Sequence, residues 1–308
     1  MPLLLGTRAS ALAQWQAQWV AARLGELGHS VELVPISTHG DRNQQAKIES
    51  IGAQNVFTKE IQLALLDRRI DLAVHSLKDL STEKIAGIAL AAVPRRGPVG
   101  DVLVWPTGGG IEALAAGALI GTGSLRRRTQ LHHQRPDLRI ENIRGNVDTR
   151  LAKLEAGRYD AIVLAEAGLL RLGLEKWIGH ILPKDVMLPA VGQGALGVET
   201  RDDDSAAMAA VAALDHAETH AAVDAERSML AALHGGCLAP IAGWARIEND
   251  QLTLSGRVLS HDGRQRIDAQ LSTPTPQDAI SLGHRVAQEL SSQGADTLIQ
   301  NARPKPSS

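Results

Sequence analysis

Ala118-Leu119-Ile120-Gly121-Thr122-Gly123-Ser124-Leu125-Arg126-Arg127-Arg128 joins an apolar run to a helical stretch that continues through Gln134. An apolar run, a glycine turn and a capped helix in that order make one strand-to-helix unit of an α/β fold. Ser or Thr at such a helix start caps free backbone N–H groups, and those groups with the helix dipole attract anions. Arginines in a first helical turn face an unfavourable dipole. Three adjacent arginines ordinarily read as a solvated basic face. At a strand-to-helix turn, where ligands of α/β domains gather, a multiply charged anion in front of them is the better account.

The same design recurs outward from this turn. The run Leu138 to Ile143 ends at Arg144-Gly145-Asn146, with Thr149-Arg150 in the next helix, and Leu3 to Leu5 ends at Gly6-Thr7-Arg8-Ala9-Ser10 before the helical stretch Ala11 to Leu27. Arg pairs bidentately with carboxylates and phosphates, so several such turns point to a ligand with several acidic groups. An internal echo supports two similar domains: Arg69-Ile70-Asp71-Leu72-Ala73-Val74 resembles Arg158-Tyr159-Asp160-Ala161-Ile162-Val163, each after a leucine-rich helix. Pro94 to Gly100 and Pro106 to Gly110 mark a hinge, and Leu188 to Gly197 a second crossing. From His216 the pattern changes to a helix, Ala217 to Leu233, then strands Ile241 to Ile247, Gln251 to Leu259 and Arg264 to Leu271, and a helix Pro276 to Ser291. The expected fold class is α/β, with two α/β domains and a smaller C-terminal α+β domain. The boundaries are 1–96 with 194–214 returning to it, 97–193, and 215–308.

Composition narrows the function. At 308 residues and roughly 150 per domain, two domains are expected, or three if one is small. The net charge is −2, so any anion site is local and not a whole-chain field. Five Trp, one Tyr and one Phe leave few stacking surfaces, which disfavours a nucleic-acid binder built on Arg126 to Arg128. One cysteine, Cys237, excludes an internal disulfide framework and points to a reducing compartment. The N-terminus reads as a strand and not a signal. No segment approaches the roughly 20 uninterrupted apolar residues of a membrane helix. A soluble cytoplasmic protein without a membrane or nucleic-acid partner is expected.

Other motifs are weaker alone. His75-Ser76-Leu77-Lys78-Asp79 ends a buried-looking strand with a cation beside an acid; a carboxylate there can move protons and stabilise a cation. Gly192-Gln193-Gly194-Ala195-Leu196-Gly197 spells the dinucleotide fingerprint but precedes a strand-like run instead of a helix, so it reads as a glycine-rich crossing. His132-His133 lack metal-ligand spacing and read as residues on a helix surface. Cys237, after Gly235-Gly236 and before Pro240, is by default a buried small side chain, but its pliable loop would present a thiol well.

Taken in series, Thr7-Arg8-Ala9-Ser10, Val74 to Asp79, Gly121 to Arg127, Ile143 to Val147, Leu188 to Ala195 and Gly235-Gly236-Cys237 closely resemble the hydroxymethylbilane synthase (porphobilinogen deaminase) family, in the right order and over nearly the whole chain. The resemblance implies that the first two domains are similar to the lobes of periplasmic-type binding proteins. It implies a dipyrromethane cofactor on a thioether to Cys237 and the head-to-tail addition of four porphobilinogen molecules, each losing ammonia, before hydrolysis releases linear hydroxymethylbilane. A monomer that passes its product to uroporphyrinogen-III synthase is implied as well.

Residue by residue, the resemblance makes Asp79 the catalytic carboxylate. Ser76, Lys78, Thr122, Ser124, Arg126, Arg127, Arg144, Gly145 and Asn146 are implied to hold the cofactor. Arg8, Ser10, Gln16, Lys59, Arg144, Arg150, Arg171 and Gln193 are implied to meet the substrate. Each pyrrole carries an acetate and a propionate arm, which accounts for the arginines. The sequence departs from the family at Gly52-Ala53-Gln54-Asn55-Val56-Phe57, where the family has Gly-Gly-Lys-Gly-Leu-Phe, and at Leu80, where a proline is common. A non-catalytic two-lobed binder of a polycarboxylate anion is the alternative; it would explain the arginine turns but not Cys237 and Asp79.

Overall fold

The computed structural model describes residues 1–36, 58–235, 239–274 and 278–302; Cys237 and the segment 52–57 lie outside the described residues. Contacts gather the chain into two units, 1–97 with 194–220 and 98–193 with 221–308.

Unit one holds strands β1 (Leu3–Thr7), β2 (Val31–Pro35), β3 (Leu72–Ser76), β4 (Ile88–Ala92) and β10 (Leu196–Arg201) in the order β2-β1-β3-β10-β4. β2, β1 and β3 are parallel, and β10 runs antiparallel to both its neighbours. Its helices are α1 (Ala11–Glu26), α2 (Lys59–Leu66) and α6 (Ser205–Ala212). The inner strands β1 and β3 read as largely apolar runs because both faces are covered. Along β3, Leu72 and Val74 enter one cluster with Leu5, Val20 and Leu24, while Ala73 enters another with Ile61, Leu65 and Ile70. Ser10 caps α1 by accepting from Ala13 N at 3.3 Å, and Gly28, at φ +87, supplies the left-handed residue past its end.

Unit two repeats the plan. Strands β5 (Asp101–Val104), β6 (Leu119–Gly121), β7 (Arg139–Glu141), β8 (Ala161–Ala165) and β9 (His180–Ile181) take the order β7-β6-β8-β5-β9, again with one antiparallel strand, β5, in the fourth position. Helices α3 (Leu125–Gln134), α4 (Val147–Glu155) and α5 (Glu166–Arg171) follow β6, β7 and β8. The two echo segments of the sequence end in β3 and β8, the middle strands of the two sheets. In both sheets the odd strand is the first one after the chain crosses between units.

The same unit holds an antiparallel meander, β11 (Ile241–Glu248), β12 (Gln251–Leu259) and β13 (Arg266–Thr273). Asn249 and Asp250, both at positive φ, close the first hairpin as a two-residue turn requires. Helices α7 (Ala217–Ala232), α8 (Ala279–Ser292) and α9 (Ala295–Ala302) complete a core that includes Met229, Leu252, Leu254, Val258, Leu282, Val286 and Leu290. The sequence reading divides the chain after 96, 193 and 214; the contacts part it after Gly97, Gln193 and His220 and keep the meander in one unit with the second α/β sheet. Strand β13 starts two residues later than expected, because Ser260 N donates to Gln265 O and extends the turn.

Helices α7 and α8 approach closely at Gly283, where an added Cβ would fall 2.8 Å from Met229 N and against Ala225 O and Ser228 Oγ. Gly to Ala in a helix interior normally stabilises by up to about 1 kcal/mol. Here the collision should reverse the sign: Gly283→Ala is expected to lower stability by about 1–3 kcal/mol. A lower urea midpoint at unchanged slope is the readout; an unchanged or higher midpoint would contradict the packing.

Candidate active site

In unit one the carboxyl ends of β1 and β3 open on one recess, lined by Arg8, Ser10, Gln16, Ser76 and Asp79, with Thr58 and His75 also in its wall. Gln16, buried on α1, donates from Nε2 to Ser76 Oγ at 2.6 Å and so fixes the helix to the end of β3. Leu77–Asp79 form a single 3₁₀ turn. Leu77 is buried and its N–H donates to Ala195 O at 3.1 Å, which anchors the turn and leaves Asp79 exposed. Lys78 is half-buried beside it, and Lys59 is exposed at the first position of α2.

Below the recess lies a polar group the sequence reading did not find. His75 Nε2 is 3.0 Å from Glu199 Oε2, both side chains being buried, and Gln62 Nε2 donates to the two Glu199 oxygens at 3.0 and 3.1 Å. A buried carboxylate needs such partners. Its sequence signal was slight: one acid ending the apolar run Leu196 to Val198.

In unit two the turn after β6 is tied together by its own hydroxyls. Thr122 Oγ1 accepts from Ser124 N at 3.2 Å, and Ser124 Oγ accepts from Arg127 N to cap α3. The N–H groups of Leu125 and Arg126 have no intrahelical acceptor, as in any first helical turn. Arg126 and Arg127 are buried, and the anion facing both is the protein's own Asp101, at the start of β5. Arg126 Nη1 donates to Asp101 Oδ2 at 2.8 Å and to Leu188 O at 2.6 Å. Arg127 donates to Asp101 Oδ1 from Nε at 2.9 Å and Nη2 at 2.6 Å, and to Val163 O from Nη1 at 2.8 Å. Burial pushes the Asp101 carboxyl up, but the two guanidinium groups outweigh it and hold the carboxyl well below the usual range. Burial also lowers Arg126. Asp101 was not foreseen, since one acid heading an apolar run looks like a strand terminus until its partners are known.

The turn after β7 is more open. Arg144 and Asn146 are exposed, and Gly145, at φ +109, could not carry a side chain because a Cβ would lie 2.6 Å from Thr149 Cγ2. Arg150 Nε donates to Gly145 O and Lys153 Nζ to Arg144 O, each at 2.8 Å, so α4 braces the turn with two cations. Arg171 is lowered to about 10 by burial and stays protonated at neutral pH. Gln193, fully buried, donates from Nε2 to the carbonyls of Val99 at 2.8 Å and Gly100 at 3.1 Å, a latch within the crossing.

The residues proposed from sequence thus fall in two sets. Arg8, Ser10, Gln16, Ser76 and Asp79 share one recess in unit one; Thr122, Ser124, Arg126, Arg127 and the Arg144 turn sit at neighbouring strand ends in unit two.

The family model described as "Porphobilinogen deaminase, dipyromethane cofactor binding domain" matches residues 3–209, and "Porphobilinogen deaminase, C-terminal domain" matches 220–292. The chain belongs to the porphobilinogen deaminase family. A porphobilinogen deaminase of Pelotomaculum thermopropionicum is 46% identical over 98% of this chain and 97% of that protein. The Brevibacillus brevis protein of the same name is 44% identical over 96% of each chain. Among solved structures, a methionine-binding lipoprotein of Bacillus subtilis is 13% identical with a TM-score of 0.43, covering 69% of this chain and 89% of that one. No described helix is long and apolar enough to cross a membrane.

The cofactor of this family is a dipyrromethane, and the turns of unit two suit its acidic arms. One carboxylate faces two buried guanidinium groups, which leaves an excess positive charge, and Arg126 Nε is buried without a hydrogen-bond partner. A buried charge left uncompensated costs several kcal/mol. Asp101→Asn is therefore expected to destabilise the protein by about 3–5 kcal/mol in chemical denaturation at neutral pH. Because the folded Asp101 carboxyl is depressed, its contribution is full above the unfolded value near 4 and is lost only as pH falls below that value. The stability gap between wild type and variant should accordingly persist across the neutral range and narrow only in strong acid; a gap that closes between pH 8 and 5 would refute the assignment.

Proposed function

We propose that the chain is a hydroxymethylbilane-forming transferase that condenses four porphobilinogen molecules head to tail on a dipyrromethane primer and hydrolyses the linear product free. The observation that carries this reading is Asp79, exposed on a recess it shares with Arg8, in a chain matched over residues 3–209 by the cofactor-binding family model. A two-lobed anion binder would use the arginines but would give Asp79 no task.

The dipyrromethane group, bound through a thioether to Cys237, supplies the pyrrole carbon that receives the first substrate and the acidic arms that need holding. Arg126, Arg127 and Arg144, with Lys78, Ser76, Thr122, Ser124, Gly145 and Asn146, hold those arms by charge-assisted and backbone hydrogen bonds. Arg8, Arg150 and Arg171, with Ser10, Gln16, Lys59 and Gln193, receive the substrate. Asp79 gives its proton to the substrate amine, which leaves as ammonia when the C–N bond breaks. The carboxylate so formed faces the positive charge on the substrate methylene and lowers the barrier to attack on it. Once the C–C bond has formed, the proton released from the attacking pyrrole carbon would return Asp79 to its starting state. One acid serves each addition.

We further assign three domains, 1–96 with 194–214, 97–193 and 215–308, the last carrying Cys237. The chain acts as a cytoplasmic monomer and passes its product to a uroporphyrinogen-III synthase.

Intact mass spectrometry and a porphobilinogen-consumption assay test this reading. The wild-type chain should carry the added mass of two pyrrole units, and Cys237→Ser should lack it. Asp79→Asn should keep that mass and a native melting curve while turnover falls by about 10²–10⁴-fold. An unmodified wild-type chain, or full turnover in Asp79→Asn, would overturn it.

A further inference from the structure

A second cavity, of about 600 Å³, lies in unit two between α3 and the turn joining β12 to β13. It is lined by Arg128, His132 and His133 from the helix and by His261, Asp262 and Arg264 from the turn. Two permanent cations and three imidazoles meet one carboxylate there, and that carboxylate is already engaged. Asp262 Oδ1 accepts from Ser260 Oγ at 2.6 Å and from Arg264 N at 3.1 Å. Its contact with Arg264 Nε is 3.6 Å, and the Arg264 side chain is 88% exposed. Arg128 donates to Asn142 Oδ1 at 3.0 Å, a neutral partner that leaves its charge uncompensated.

The walls are built and not incidental. Gly263, at φ +76, sits so close to α3 that a Cβ would lie 2.6 Å from Thr129 O. His133 Nδ1 is 2.9 Å from Gly263 O; a carbonyl only accepts, so Nδ1 carries the proton and Nε2 is left as the basic nitrogen. The volume falls within the range of small-ligand pockets, about 300–1,000 Å³.

We propose that this cavity binds a small multivalent oxyanion, a polycarboxylate or a polyphosphate, and takes up protons as it does so. Converging positive charge in a concave site raises the local concentration of such an anion. The proton coupling comes from His132, which lines the cavity. Burial lowers His132, Arg128 lowers it further, Asp262 opposes and His261 adds to the lowering. An anion beside His132 would favour its charged form. By linkage, binding tightens as pH falls through the imidazole range.

The test is histidine-imidazole NMR of the full chain, with citrate and inorganic pyrophosphate as separate probes. With at least one probe the His132 midpoint should rise by about half a unit or more, and affinity should be about three- to tenfold higher at pH 6 than at pH 8. The probe that produces the shift identifies which anion class the cavity prefers. The double variant His261→Ala/Arg264→Ala should abolish the shift and leave porphobilinogen turnover unchanged. Midpoints unmoved by both anions, or shifts that survive in the double variant, would overturn the proposal. The readout does not depend on turnover, so it stands or falls apart from the assigned reaction.

Discussion

One buried carboxylate set between two buried guanidinium groups fixes the strand-end turn of unit two. Asp101 opens β5, the first strand after the chain crosses, and Arg126 and Arg127 open α3. Each carboxylate oxygen takes a different arginine, so the strand and the helix start are locked in one register. The arrangement resolves the difficulty of cations in a first helical turn, where the dipole opposes them. It resolves it incompletely, because two positive charges face one negative. The remaining positive charge supports the proposed role of this turn in holding acidic groups, and the field is local in a chain whose net charge is slightly negative.

The two α/β units share a sheet plan, four strands in one direction and one against it, and both carry their polar residues at the carboxyl ends of the parallel strands. In unit one these are Arg8 and Ser10 after β1 and Ser76 to Asp79 after β3. In unit two they are Thr122 to Arg127 after β6 and Arg144 to Asn146 after β7. Strand ends are good places for this work: the sheet fixes the backbone, and small hydroxyl residues such as Ser10 and Ser124 cap the helices through their oxygens while keeping an O–H to donate. Several hydroxyls that sequence alone suggests as ligand contacts are, in the structure, what holds the turns rigid.

Much of this was legible in the sequence because it is local. A glycine turn between an apolar run and a capped helix, and the echo between Arg69 to Val74 and Arg158 to Val163, need only short-range chemistry to read. Strands β4, β5 and β9 escaped because they are defined by partners far along the chain. Asp101 and Glu199 escaped for the same reason: an acid in an apolar run declares its role only when the arginines or the imidazole it meets are placed by tertiary contacts. The proline- and glycine-rich stretches on either side of β5 read as a hinge, and four of the five residues between them turn out to be buried strand. Cys237, the residue that most sharply separates an enzyme from a binder, lies outside the described residues, so its role rests on the motif.

In the proposed reaction Asp79 and Asp101 give one side-chain type two duties. Asp101 is fully buried and held ionised by two guanidinium groups, so it cannot donate a proton anywhere near neutral pH. Asp79 stands exposed on a 3₁₀ turn whose neighbour Leu77 is sunk in the core, so its position is fixed while its carboxyl stays in contact with water. A general acid used repeatedly has to be reprotonated between additions, and a carboxyl sealed among cations could not be. Fixing a pair of arginines and, in the proposed reaction, moving protons make opposite demands on a carboxylate's surroundings. The fold meets them by placing the two acids in different units and at opposite extremes of burial.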